Sequence, residues 1–92
     1  MCFYVIYVLF SEKDNNFYHG FTKNLKLRIE QHNKGEVQST RSRRPLKLIY
    51  FESCLNKADA LKREKYFKTH YGRLFLKKRL KEYFNSHSTS RE

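Results

Sequence analysis

The sequence predicts an α+β domain: a three-stranded sheet, antiparallel-type and mixed, flanked by helices in the order β-β-α-β-α-α. Three observations predict it. Phe3 to Phe10 is an unbroken β-branched and aromatic run, two further segments have strand character, and apolar residues recur three and four apart over the remaining long segments. With 92 residues there is room for one core, and 39% hydrophobic content with 16% aromatics is enough to fill it.

The Phe3 to Phe10 run suits a strand covered on both faces. Ser11 to Asn16 is a polar turn stretch, and Phe17 to Phe21 resumes strand character, so the two read as a hairpin. Asn24 is placed to cap a helix from Leu25 to about Lys34, and Gly35 follows where left-handed backbone ends helices. The stretch 36–44 holds three arginines among small polar residues, Pro45 closes it, and Leu46 to Glu52 reads as the third strand. Asn56, with Asp59 three residues on, resembles a capping box for a second helix reaching about Tyr71, and Gly72 is expected to break it. Leu76, Leu80, Tyr83 and Phe84 form one stripe and predict a third helix over Arg73 to Phe84. The domain is therefore expected over 1–84, with 85–92 a flexible polar tail.

Charge decides the class of partner. Twenty Lys and Arg oppose nine Asp and Glu, a net +11, and such a surface attracts phosphates and releases their counterions. Cys2 and Cys54 are far apart and form no zinc-ligand spacing; they read as ordinary thiols of a reducing compartment. The apolar N-terminal run is too short to span a bilayer. The expectation is a cytoplasmic protein that binds nucleic acid and no membrane.

Polar residues at apolar positions are the informative ones. The first helix carries the stripe Leu25, Arg28, Ile29, His32, and the second carries Ala60, Leu61, Glu64, Phe67, Tyr71. Arg28, His32 and Glu64 thus sit among core anchors. A buried charge costs several kcal/mol, roughly, unless it is paired. Two readings follow: an Arg28–Glu64 salt bridge tying two helices, or a cleft floor where a cation and a carboxylate meet phosphate and metal. Tyr7 lies on the first strand and Tyr18 on the second, across the hairpin. Gly20 lies on the same face as Tyr18, where a strand glycine leaves space for a ligand or another backbone.

Together, VIY at 5–7, YHG at 18–20 with Thr22, LKLRIEQHNKG at 25–35 and ALKREKYFK at 60–68 resemble the GIY-YIG nuclease domain. The match runs in order from about Phe3 to Tyr71 and is closest to small stand-alone members, through STRSRRPLKLIYFE at 39–52. Val5 stands in place of the first motif glycine and His19 in place of the isoleucine of YIG; an asparagine that some repair members use has no counterpart. The resemblance implies a metal-dependent DNA endonuclease of the kind found in repair and recombination. Tyr7 and Tyr18 match the motif tyrosines, Gly20 the motif glycine, Arg28 the catalytic arginine and Glu64 the metal-binding glutamate. His32 falls where some members place a histidine that assists proton transfer.

The chemistry expected of these residues is hydrolysis of a phosphodiester. Glu64 would hold one Mg²⁺ or Mn²⁺ per site, because a lone carboxylate does not assemble a two-metal centre. Arg28 would grip the phosphate through its planar fork. Tyr7 would take the proton of the attacking water, its pKa lowered by nearby cations, with Tyr18 orienting and His32 relaying. Lys23, Arg41, Arg43, Arg44, Lys62 and Arg63, with Gly20, are expected to contact nucleic acid. Phosphate contacts position without specifying, so the DNA substrate is read as chosen by shape, branched or single-stranded, by a monomer or weak dimer. The rival readings are a non-catalytic nucleic-acid-binding module with a vestigial site and a purely structural Arg28–Glu64 tie.

Overall fold

A computed structural model describes residues 2–90. Strand β1 (Tyr4–Ser11) lies between β2 (Phe17–Thr22) and β3 (Leu46–Cys54), both antiparallel to it. The expected mixed character is resolved as a wholly antiparallel sheet, and β1 is its central strand. That position explains the sequence of β1: Ile6, Tyr7, Val8 and Leu9 are all buried, because both of its faces are covered.

Helix α1 (Leu25–Asn33) covers one face, where Leu25 and Ile29 pack on Tyr7, Leu9 and Leu46. Helices α2 (Lys57–Phe67) and α3 (His70–Arg79) cover the other, where Ala60, Phe67 and Leu76 meet Ile6 and Val8. Each of these three helices starts on a side-chain cap. Asn24 accepts from the Leu27 amide, Asn56 from those of Ala58 and Asp59, and Thr69 from that of Gly72.

Several boundaries differ from the sequence reading. The second helix ends at Phe67, where the cap of Thr69 restarts the chain as α3, so Gly72 lies inside a helix and is not its breaker. Gly72 is there for closeness, since a β-carbon would collide with the Tyr66 carbonyl. The expected third helix is divided at Leu80 into α3 and α4 (Lys81–Ser90). The division lets Leu76 enter the core while Phe84 turns onto Phe10 and Phe17, at ring-centroid separations of 5.7 and 5.9 Å. The tail expected over 85–92 lies in part outside the described residues; as far as Ser90 the backbone is helical. On α2, Leu61 and the following Tyr71 are exposed, so the buried stripe is narrower than the spacing suggested.

The arginine-rich stretch after α1 is a folded clamp. Val37 and Thr40 are buried, and Arg41–Arg43 forms a single 3₁₀ turn. Ser11, fully buried, donates to the Arg43 carbonyl at 2.6 Å and accepts from the Lys13 and Asp14 amides. Arg43 in turn holds Asp14 at 2.6 Å and the carbonyls of Asn16 and Phe17. The clamp is thereby fastened to the β1–β2 hairpin. None of the described helices is long and apolar enough to cross a membrane.

Candidate active site

The site is built around Tyr7. Its side chain leaves the central strand toward α1 and crosses Gly20, its partner in the β1–β2 register. A β-carbon on Gly20 would collide with the ring and hydroxyl of Tyr7. The space that the strand glycine opens is filled by this phenol, so Gly20 shapes the site.

Three groups meet the Tyr7 hydroxyl or its surroundings. His32 Nε2 is hydrogen-bonded to it at 2.8 Å, and Arg28 Nε donates to it at 3.3 Å. Arg28 and His32 reach it together because they are four apart on α1, one turn of the same helix face. Tyr18, two residues before Gly20 on β2, packs its ring 5.2 Å from His32 and 6.5 Å from Tyr7. His32 Nδ1 is hydrogen-bonded to Thr40 Oγ1 at 2.7 Å. Both His32 and Thr40 are fully buried.

Burial, with Arg28 alongside, lowers the His32 pKa to about 4, so the imidazole is neutral near pH 7. A neutral ring satisfies both of its hydrogen bonds in either tautomer. Tyr7 is raised above its usual 10, chiefly by burial; the hydrogen bond from Arg28 lowers it, while Tyr18 and Glu64 raise it further. A phenol acidified by surrounding cations was the expectation from sequence. Burial outweighs the Arg28 cation that touches Tyr7.

Glu64 comes from α2, the helix packed on the opposite face of the sheet, yet its charge is felt at Tyr7. Its side chain is 18% exposed, and Lys68 Nζ lies 3.6 Å from Oε2. Arg28 meanwhile binds Tyr7 and the Gln31 amide oxygen. Among the described residues Arg28 and Glu64 form no ion pair with each other, which removes the basis of a simple tie between helices. No described group of three or more His, Cys, Asp or Glu side chains could hold a metal. The carboxylate available is Glu64 alone, half-buried and only loosely paired. Such an anchor suits a hard cation that takes most of its ligands from water and substrate phosphate.

The basic residues read from sequence fall into two groups. Lys23, Arg41 and Lys62 are exposed. Arg43 is committed to the hairpin, as described above. Arg44 is held by the carbonyls of Arg41 and Asn33, its guanidinium lying over Gly35. Arg63 makes a two-pronged pair with Glu52 at 2.9 Å and lies 4.7 to 5.0 Å from the ring centres of Phe67, Phe75 and Tyr66. These three guanidiniums have intramolecular work. Thr40 and Gln31 were not singled out from sequence. Gln31 was discoverable as the i+3 neighbour of Arg28; Thr40 carried no signal.

Comparison with known proteins agrees with this fold. The family described as the GIY-YIG catalytic domain matches residues 3–78. A UPF0213 protein of Pediococcus pentosaceus is 52% identical over 56 residues, 60% of this chain and 59% of its own length. A UPF0213 protein of Limosilactobacillus reuteri is 47% identical over 68 residues, covering 71% of this chain and 70% of that one. UPF0213 protein YazA of Bacillus subtilis is 44% identical over 57 residues, 61% and 58% of the two chains. The matched stretch thus spans about six tenths of the length of the first and last of these relatives. The solution structure of UPF0213 protein BH0048 from Bacillus halodurans superposes with a TM-score of 0.51 at 27% identity, covering 80% of this chain and 81% of that one.

Proposed function

We propose that this chain, which belongs to the GIY-YIG family, is a metal-dependent endonuclease that hydrolyses DNA phosphodiester bonds with a tyrosine-activated water. The observation that carries the proposal is the chain of hydrogen bonds Arg28–Tyr7–His32–Thr40, buried at one end and reached electrostatically by Glu64 at the other.

Hydrolysis requires a water that loses a proton as it attacks phosphorus in line with the leaving oxygen. Tyr7 Oη is the acceptor for that proton. Its own proton passes to His32 Nε2, which is neutral and 2.8 Å away. The imidazole then carries two protons, with Nδ1–H donated to Thr40. Burial opposes that positive charge, and a bound phosphate offsets it. The relay explains how a phenol raised by burial serves as a base: it needs no standing phenolate. Arg28 turns its fork toward the phosphate from the position where it also holds the Tyr7 oxygen. Tyr18 packs against His32 and Tyr7 and fixes both rings.

A Mg²⁺ or Mn²⁺ ion held by Glu64, one per site, supplies charge stabilisation on the phosphate and leaving oxygen when bound. Exposed Lys23, Arg41 and Lys62 contact flanking phosphates and set the salt dependence of binding. The partner is DNA, branched or single-stranded forms being the first to test, and the active species is a monomer or weak dimer.

One observation favours a second reading. The phenol of Tyr7 is raised, as expected if the pocket were a vestigial anion site in a nucleic-acid-binding module. Tyr7→Phe separates the two. It leaves the ring over Gly20 and removes the hydroxyl, the proton acceptor, with its bonds to His32 and Arg28. The nuclease reading expects cleavage of mixed DNA substrates in Mg²⁺ or Mn²⁺ to fall about 10²- to 10⁴-fold with affinity retained. A wild-type protein that binds these substrates tightly and cuts none of them supports the module.

A further inference from the structure

A cleft of about 550 Å³ opens on the sheet face opposite α1, between the β1–β2 hairpin and helices α3 and α4. Its floor is three phenyl rings, Phe10, Phe17 and Phe84, with centroids 5.7 to 6.1 Å apart. All three are half-buried, so their packing closes the core beneath and leaves ring surface toward the cleft. One wall is cationic: Arg73, Lys77 and Lys81 line it, four residues apart in sequence. Arg73 and Lys77, four apart on α3, repel each other, and among the described residues no acidic side chain lines the cleft to relieve the charge. An apolar ligand alone would not require the cations. A phosphate alone would not require the rings.

The cleft also has a defined relation to Tyr7. Phe17 is three residues before Gly20 on β2, about 10 Å at the usual rise of a strand, and β2 is an edge strand whose outer side is unpaired within the sheet. Positive charge continues between the two places. Lys68, beside Glu64, and Arg73, in the cleft, both act on buried His19, whose Nε2 has no hydrogen-bond partner among the described residues.

We infer that this cleft is a nucleotide subsite: it stacks an unpaired base of the bound strand on Phe10, Phe17 and Phe84 while Arg73, Lys77 and Lys81 hold that nucleotide's phosphate. The inference rests on the nuclease reading for the strand's position, and it adds that the DNA entering the site is unpaired on this side. Base stacking on aromatic rings with cationic flanks tolerates any sequence, so the subsite selects structure and not sequence.

The test is binding measured by fluorescence anisotropy in the presence of EDTA, where cleavage does not intervene. The probes are oligothymidylate, an abasic strand of equal length, a blunt duplex and thymidine monophosphate. Wild type binds oligothymidylate about tenfold more tightly than the abasic strand. The double variant Lys77→Glu, Lys81→Glu, which alters only exposed side chains, weakens oligothymidylate at least tenfold. Phe84→Ala removes the preference for bases. Because Phe84 also packs the core, ring-proton shifts of Phe10, Phe17 and Phe84 on adding oligothymidylate to wild type give the same answer without a variant. Equal affinity for abasic and base-bearing strands, or unchanged binding in the lysine double variant, overturns the subsite. Thymidine monophosphate binding as tightly as the strand also overturns it, in favour of a free-nucleotide pocket. Absence of cleavage with base-dependent binding retained removes the nuclease reading alone, and cleavage with base-independent binding removes the subsite alone.

Discussion

Tyr7 and His32 are hydrogen-bonded at 2.8 Å inside the protein, although 25 residues separate them and they come from different elements. The central strand supplies the phenol and the helix laid across it supplies the imidazole. Gly20, with no side chain, leaves the room in which the phenol lies across β2, and Thr40 holds the imidazole from behind. The catalytic proposal depends on both supports.

Gly20→Ala tests the first. The added methyl cannot coexist with the Tyr7 ring where it stands, so the ring moves or β2 shifts. Overpacking of this kind costs about 1–3 kcal/mol. The expected result is a lowered melting temperature with cleavage reduced far more than the unfolded fraction explains. Cleavage that tracks the folded fraction would show that the Tyr7 position is not critical.

Thr40→Val tests the second. The shape is nearly kept and the Nδ1 partner is lost, leaving a buried ring nitrogen unsatisfied at about 1–3 kcal/mol. If Thr40 positions His32, kcat falls with KM little changed, the pH profile of cleavage shifts, and Thr40→Ser restores most of the rate. A change in melting temperature alone, with the pH profile fixed, would make Thr40 merely structural.

Stability should fall as pH drops from about 6.5 to 4. His19 and His32 each have a folded pKa near 4, both lowered first by burial, against 6.5 in the unfolded chain. Through that window the unfolded state binds more protons, so stability rises with pH and is fully present above about 6.5. Asp14, held down to about 2 by Arg43, and Glu52, lowered by Arg63, act in the same direction at lower pH. His19→Phe keeps the stacking on Phe67 and removes a titrating ring with an unpartnered nitrogen. Denaturant melts across pH should show a shallower slope for this variant below pH 6. An unchanged slope would mean that His19 is not buried in its neutral form.

The two groups of basic residues should separate experimentally. Arg41→Ala and Lys62→Ala remove exposed charges and each lower the slope of log affinity against log salt by up to about 1. Arg43→Ala and Arg63→Ala cut intramolecular ties and lower the unfolding free energy, by about 2–3 kcal/mol for Arg63 with its paired carboxylate and three rings. Equal salt slopes for Arg41→Ala and wild type would remove that residue from the nucleic-acid surface.

How much of this was legible depended on whether a residue obeyed a local period. Arg28, His32 and Glu64 interrupted helical stripes and so stood out. Tyr7 and Tyr18 were placed on the two strands of a hairpin, and the order of elements and the flanking helices followed from apolar runs and caps. Thr40 and Arg43 lie in a segment without periodicity. Their partners, His32 and Asp14, are reached only after the chain has folded, so one polar residue in that loop looked like another. The division at Leu80 was hidden for a related reason: the stripe through Leu76 and Phe84 is satisfied by two short helices on two parts of the core as well as by one. Gly72 misled because a glycine that lets backbones approach looks, in sequence, like one that ends a helix.

The most direct test of the central claim is Glu64→Gln, assayed for cleavage and for binding on the same set of single-stranded, forked and duplex DNA in Mg²⁺ and Mn²⁺. The substitution keeps the shape and removes the charge that would hold the metal. The account predicts that wild type cuts at least one of these substrates, and that the variant loses cleavage by about 10²-fold or more while its affinity and melting temperature stay close to wild type. Undiminished cleavage by Glu64→Gln would contradict it.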